Sequence, residues 1–141
     1  MTDEIPRVVV DTNVLVGSAY NPRSASRTIV TACQRGDLQL FASPATLREY
    51  ELILPRAIRN RQQRDQLLDL VYQACQVQPR ATPRVVPGDP QDDKFVAVAV
   101  AASAVALVTN DQAVLDVGSY QGIAMLRPSA FLESHQADLA N

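Results

Sequence analysis

Arg7-Val-Val-Val-Asp-Thr-Asn-Val14 is the stretch that decides the fold. Its three consecutive β-branched apolar residues suit a short strand buried on both faces. The run stops at Asp11-Thr12-Asn13, which then lies at the carboxyl end of the strand. In open α/β sheets ligands bind beyond that edge. An Asp there faces a crevice, unless it serves as a helix cap or turn residue. The choice depends on whether other acids converge on it.

A second stretch ends in the same way. Residues 105–108 read as a buried strand that runs into Thr109-Asn110-Asp111. Between the two, turn and cap signals mark alternating elements. Asn21-Pro22 is a turn, Ser24 caps a helix over 25–35, and Gly36 stops it. Residues 38–41 form a second strand. Ser43-Pro44 then starts a helix, carrying Glu49, Tyr50 and Glu51, that breaks at Pro55. A further helix is expected over 65–77, where apolar residues recur at helical spacing. The Pro-rich segment 79–90 reads as a surface loop with a short strand at Val85-Val86. Residues 91–103 alternate valine and alanine; their length and alanine content favour a helix over a strand. A short helix over 112–117, a strand at 123–126 and a Pro128-started helix complete the order. Strand and helix alternate throughout, so the class is α/β with a mostly parallel central sheet.

With 141 residues the chain has the size of one domain, read as spanning 1–141 with a core of about 6–133 and a polar tail over 134–141. Apolar residues are 47% and charged ones 20%, a globular rather than disordered balance. The net charge of −2 argues against a purely electrostatic nucleic-acid binder, so a polyanionic substrate needs a local basic surface, a bridging cation, or both. Cys33 and Cys75 show no zinc-type spacing and read as two thiols in a reducing compartment. The first ten residues hold no long apolar stretch, so no signal peptide is expected. The longest apolar run, about 14 residues, falls short of the ~20 that a membrane helix needs. A cytoplasmic protein with no membrane contact is the expectation.

If the first strand and the strand at 105–108 are neighbours in a parallel sheet, Asp11 and Asp111 share one crevice. Asp92 and Asp93 begin the helix that precedes the second strand, and Glu49 lies within the helix started by Ser43-Pro44. Taken singly, each acid has an ordinary structural use as a cap or a solvated helix residue. Gathered together, such carboxylates repel and share protons unless a cation neutralises them. Hard oxygen ligands of this kind select Mg²⁺ or Mn²⁺. A divalent ion in an acidic cleft serves phosphoester chemistry: it lowers the pKa of water, orients it for in-line attack and screens the phosphate.

With these acids in this order, the chain resembles the PIN-domain family. The matching elements are the Asp11-Thr-Asn13 opening, the Ser43-Pro44 helix with Glu49, the segment from Asp89 through Asp93-Lys-Phe, and Val108-Thr-Asn-Asp111. The resemblance covers about residues 6–133 and rests on order and spacing. It is nearest to bacterial members described as toxins of toxin–antitoxin systems, related to VapC-type ribonucleases. It implies a three-layer α/β/α sandwich and Mg²⁺- or Mn²⁺-dependent endoribonuclease cleavage of single-stranded or structured RNA. Products would carry 5′-phosphate and 3′-hydroxyl ends. Carried over position by position, the four catalytic and metal-binding acids are Asp11, Glu49, Asp93 and Asp111. Asn13 and Thr109 match residues that orient them. Asp93 is preferred to Asp92 because the residues after it align better with the following helix. Glu49 and Glu51 lie about 200° apart round a helix, so only one of them faces the cleft. A small antitoxin partner and a homodimer are further implications of the resemblance.

Arg56, Arg59, Arg61 and Arg64 form a basic stretch suited to an RNA backbone, with a solvated surface as its equal alternative. Lys94, beside the acids, is a candidate phosphate contact. Tyr50 reads as core or cleft wall, and His135 as a surface residue without a catalytic part. With 5% aromatic residues, base stacking has little support. Three rivals remain. A haloacid-dehalogenase-like phosphatase needs a second Asp where this chain has Asn13. A receiver-type signalling domain has no place for the Glu49 helix. An inactive PIN-like binding module would not need all four acid positions filled.

Overall fold

The computed structural model describes residues 4–135. The expected tail over 134–141 therefore lies outside the described residues from position 136 onward. Among the described residues, six strands form one sheet in the order β3-β2-β1-β4-β6-β5. They are β1 (Arg7–Val10), β2 (Gln39–Ala42), β3 (Cys75–Gln76), β4 (Ala106–Val108), β5 (Ser119–Tyr120) and β6 (Ile123–Leu126). Every pairing is parallel except that of β5 with β6 at one edge. The helices are α1 (Thr12–Tyr20), α2 (Ala25–Arg35), α3 (Pro44–Ala57), α4 (Arg61–Gln73), α5 (Asp93–Ala102), α6 (Gln112–Leu115) and α7 (Pro128–Ser134), and a single 3₁₀ turn, Pro90–Asp92, leads into α5.

The sequence dictates the centre of the sheet. Val8, Val9 and Val10 are at most 1% exposed, as a β-branched run flanked by strands on both sides requires. The chain steps from β1 to β2 to β3 in one direction, then returns to place β4 on the far side of β1. With right-handed crossovers this reversal puts α1 to α4 on one face and α5 on the other. α5 duly lies across β1, β2 and β4, and its Phe95, Val96, Val98 and Ala99 are buried. The α/β sandwich with a mostly parallel sheet is therefore the fold. No helix among the described residues is long and apolar enough to cross a membrane.

Several elements form as their end signals specify. Ser24 Oγ accepts from the Arg27 amide and Gly36 adopts a left-handed conformation, so α2 has the bounds its caps predict. Ser43 and Thr46 close a reciprocal capping box at the start of α3. Other expectations need correction. α1 occupies residues read only as leading to a turn. Pro55 does not break α3, which runs on to Ala57. α4 starts at Arg61, capped by the Asn60 side chain, and ends at Gln73 rather than spanning 65–77. Val85-Val86 is not a strand; its amides are used otherwise, as described below. The two-residue strands β3 and β5 had not been foreseen.

Candidate functional site

β1 sits between β2 and β4, so the chain reverses its direction of travel beside it, and a crevice opens at the carboxyl ends of β1 and β4. The register places Val10 opposite Val108, so Asp11 and Thr109 leave the sheet side by side. The Asp11 amide donates to the Val108 carbonyl at 2.9 Å. The Thr109 hydroxyl donates to Asp11 Oδ2 at 2.8 Å and accepts from the Asp111 amide at 3.0 Å. One fully buried hydroxyl thus sets the positions of both strand-end acids. Beneath them Tyr50, with no exposed surface, donates its hydroxyl to the Val10 carbonyl at 2.6 Å. That bond ties α3 to the end of β1.

The third acidic element is the 3₁₀ turn. In such a turn residues three apart eclipse one another, and Asp89 and Asp92 have this spacing. Asp89, Asp92 and Asp111 each offer a carboxylate oxygen within 4.8 Å of the others. Asp89 was not expected as a site residue. Its signal was the Asp-Pro-Gln-Asp step, legible only once the turn is known to be 3₁₀ rather than α-helical.

The structure does not gather Asp93 with these acids. Asp93 is 4% exposed, and its Oδ1 accepts from the Val85 and Val86 amides at 3.0 and 2.9 Å. Its carboxylate is engaged in holding the Pro-rich loop against the start of α5. Adjacent residues at a helix start point about 100° apart, so when Asp93 faces the loop, Asp92 faces the crevice. The structure thus brings Asp92, rather than the preferred Asp93, together with Asp89 and Asp111.

Glu49 is the acid of α3 on the crevice side. Its Oε2 accepts from the Thr12 hydroxyl, and its Oε1 lies 2.6 Å from Lys94 Nζ. Glu51 is exposed and accepts instead from the Tyr72 hydroxyl at 2.8 Å. Asn13 is exposed in the first turn of α1, and among the described residues its side chain has no hydrogen-bond partner.

Three helices begin at this crevice, α1 after Asp11, α5 after Asp92 and α6 after Asp111. Their dipoles favour negative charge. Of the three N-cap carboxylates only that of Asp111 makes its cap bond, to the Ala113 amide at 3.0 Å; those of Asp11 and Asp92 leave theirs unmade. Capping therefore does not explain why Asp11 and Asp92 are here.

The electrostatic strain falls on two of them. Burial raises the Asp11 carboxyl above its ordinary value; the Thr109 hydrogen bond opposes that rise, while Glu49 and Asp111 add to it. Asp92 is pushed up to about 9, first by burial and then by its neighbours Asp111, Asp11 and Asp89. Its Oδ2 is buried with no hydrogen-bond donor. An orphaned carboxylate oxygen among three other carboxylates is costly unless a proton or cation satisfies it. The donor set is all oxygen, which suits a hard divalent ion such as Mg²⁺ or Mn²⁺. The residues present therefore fit such an ion.

The basic residues divide. Arg61 and Arg64 both reach Asp65, at 3.9 and 3.7 Å. Arg56 and Arg59 are exposed and form no ion pair among the described residues. His135 stacks on Phe131 with ring centres 4.3 Å apart, packed against its own helix. A cavity of about 560 Å³ lined by Cys33, Leu38, Asp69 and Cys75 includes none of the gathered acids.

Comparison with curated proteins and with solved structures finds no match. Comparison with protein families does. The profile of the PIN domain matches residues 7–113, a span that opens on β1 and closes just past Asp111. Well over half of the chain is covered, and every gathered acid falls inside the match. The chain belongs to the PIN domain family, whose members are in general metal-dependent nucleases.

Proposed function

We propose that the protein is an endoribonuclease that hydrolyses phosphodiester bonds of single-stranded RNA with Mg²⁺ or Mn²⁺, and that it is the toxin of a toxin–antitoxin pair. The observation that carries the metal reading is the buried, donorless Asp92 Oδ2 facing Asp89, Asp111 and Asp11. Asp11, Asp92 and Asp111 would hold the ion, with Asp89 beside them. When bound, the ion supplies Lewis-acid polarisation of the phosphodiester and of water.

The remaining work belongs to the chain. Thr109 keeps Asp11 and the Asp111 backbone in register, the kind of support that fixes a carboxylate's direction. Glu49, held by Thr12 and Lys94, closes the α3 side and is placed to orient the attacking water. Lys94 retains ammonium hydrogens beyond the one directed at Glu49 and can meet a phosphate oxygen. Arg56 and Arg59 are the free cations of the basic stretch and the better candidates for the RNA backbone, while Arg61 and Arg64 share Asp65. A small antitoxin that covers the acidic crevice, a homodimer and a cytoplasmic setting complete the proposal. In this reading residues 1–141 belong to one domain.

The test is cleavage of a defined single-stranded RNA by the wild type and the Asp11→Asn and Asp92→Asn variants, with Mn²⁺ and with EDTA. Wild-type cleavage should need the metal and leave 5′-phosphate and 3′-hydroxyl ends, and both variants should lose it. Equal cleavage by all three proteins, or cleavage that persists in EDTA, defeats the reading. An inactive binding module of the same fold would cut nothing, and a phosphatase of the haloacid-dehalogenase type would trap phosphate on Asp11.

A further inference from the structure

Glu49 and Lys94 make the closest ion pair among the described residues, at 2.6 Å, with side chains 23% and 22% exposed. Both partners are held from behind. Glu49 precedes Tyr50, whose buried hydroxyl anchors α3 to Val10. Lys94 follows Asp93, whose carboxylate is fastened to the Val85 and Val86 amides. Both side chains therefore leave backbone that is tied down at the adjoining residue, at the wall of the crevice.

The acids of the crevice fall into two groups. Asp89, Asp92 and Asp111 converge on one side. Glu49 is not among them; it is bonded to the hydroxyl of Thr12, the residue that directly follows Asp11. On the first side an oxygen is left without a donor. On the second side both oxygens already have a donor: Glu49 Oε1 faces the Lys94 ammonium and Oε2 takes the Thr12 hydroxyl. An ion that sought Glu49 as a ligand would have to share an oxygen with one of these donors and come close to the Lys94 positive charge.

We propose that Lys94 occupies the place of a second divalent ion, so that the centre binds one ion per chain. The inference rests on the metal centre proposed above. Lys94 neutralises Glu49, Glu49 therefore stays off the ion, and the proposed centre takes a single cation. Removing the ammonium frees a carboxylate next to Asp11 and creates a second site.

Counting bound ions tests this without reference to activity. Mn²⁺ is titrated into metal-free protein, and free Mn²⁺ is read from its electron paramagnetic resonance signal. The wild type should bind one Mn²⁺ per chain. Lys94→Gln and Lys94→Met should each bind two, Lys94→Arg should stay at one, and Lys94→Gln combined with Glu49→Gln should return to one. Thermal melts of each variant verify that it is folded. A wild type that binds two ions, or folded Lys94→Gln and Lys94→Met variants that stay at one, overturns the proposal. A wild type that binds none defeats the metal centre itself and this inference with it.

Discussion

Asp92 and Asp93 are adjacent and chemically identical, yet the structure gives them different surroundings, and this contrast can be measured. Asp93 is buried and accepts two backbone amides. Replacing it by alanine leaves the Val86 amide buried without a partner and the Val85 amide partly so. At about 1–3 kcal/mol for each unsatisfied donor, with the second only partly buried, the loss is about 2–4 kcal/mol. For a chain of this size that lowers the melting temperature by about 5–15 °C. Asp93→Asn keeps an oxygen in place and forfeits only the charge assistance, about 1–2 kcal/mol. Its affinity for Mn²⁺ should remain within about twofold of the wild type, since nothing that faces the ion has changed. Asp92→Asn should reverse the pattern: the fold persists, while Mn²⁺ binding measured by calorimetry weakens at least about tenfold. If Asp93→Asn abolishes binding and Asp92→Asn spares it, the third acid of the crevice is Asp93 and not Asp92.

Three further outcomes follow from the same geometry. The raised Asp92 and Asp11 carboxyls favour the protonated form in the folded state, so the metal-free fold loses stability as pH rises from about 4 towards about 9; melting curves should fall across that window, flatten in Asp92→Asn and recover with Mn²⁺. Thr109→Val removes the hydroxyl shared by Asp11 and the Asp111 amide and should weaken Mn²⁺ affinity by about 10–100-fold, with calorimetry as the readout; unchanged affinity would mean the bridge is incidental. Replacing Arg56 and Arg59 together by alanine should shallow the salt dependence of RNA binding by about one to two ions, whereas the same change at Arg61 and Arg64 should do less because Asp65 already engages them.

What the sequence revealed tracks how local the deciding physics is. The bounds of α2 are written in Ser24 and Gly36, and the start of α3 in Ser43-Pro44, because caps act within one turn. β1 and β4 were legible as apolar runs ending in acids. α1 was not: Val14, Leu15 and Val16 continue a valine-rich run, and their helical state is imposed by packing on α2 and α3. The start of α4 was hidden because its first turn, Arg61-Gln-Gln-Arg64, is wholly polar. The strands β3 and β5 are two residues long and exist only as partners of β2 and β6. At the site, Asp11 and Asp111 came from strand ends, and Glu49 from the family resemblance; helix phase said only that Glu49 and Glu51 could not both face the crevice. The third acid was not legible, since a single residue of phase separates the crevice from the loop. Only the 3₁₀ turn at Pro90–Asp92 sets that phase, and it brings Asp89 in as well.

The bond from Thr109 to Asp11 spans 98 positions of sequence. During synthesis, β1 emerges early with one side unpaired and waits for β4 to cover it. Until that strand arrives, Asp11 has neither its hydroxyl partner nor the acids of the 3₁₀ turn and Asp111 in place. Non-local closure of this kind comes late in folding. A chain that ends before β4 would therefore carry Asp11 without the partners that position it, and the acidic crevice would assemble only once β4 has joined the sheet.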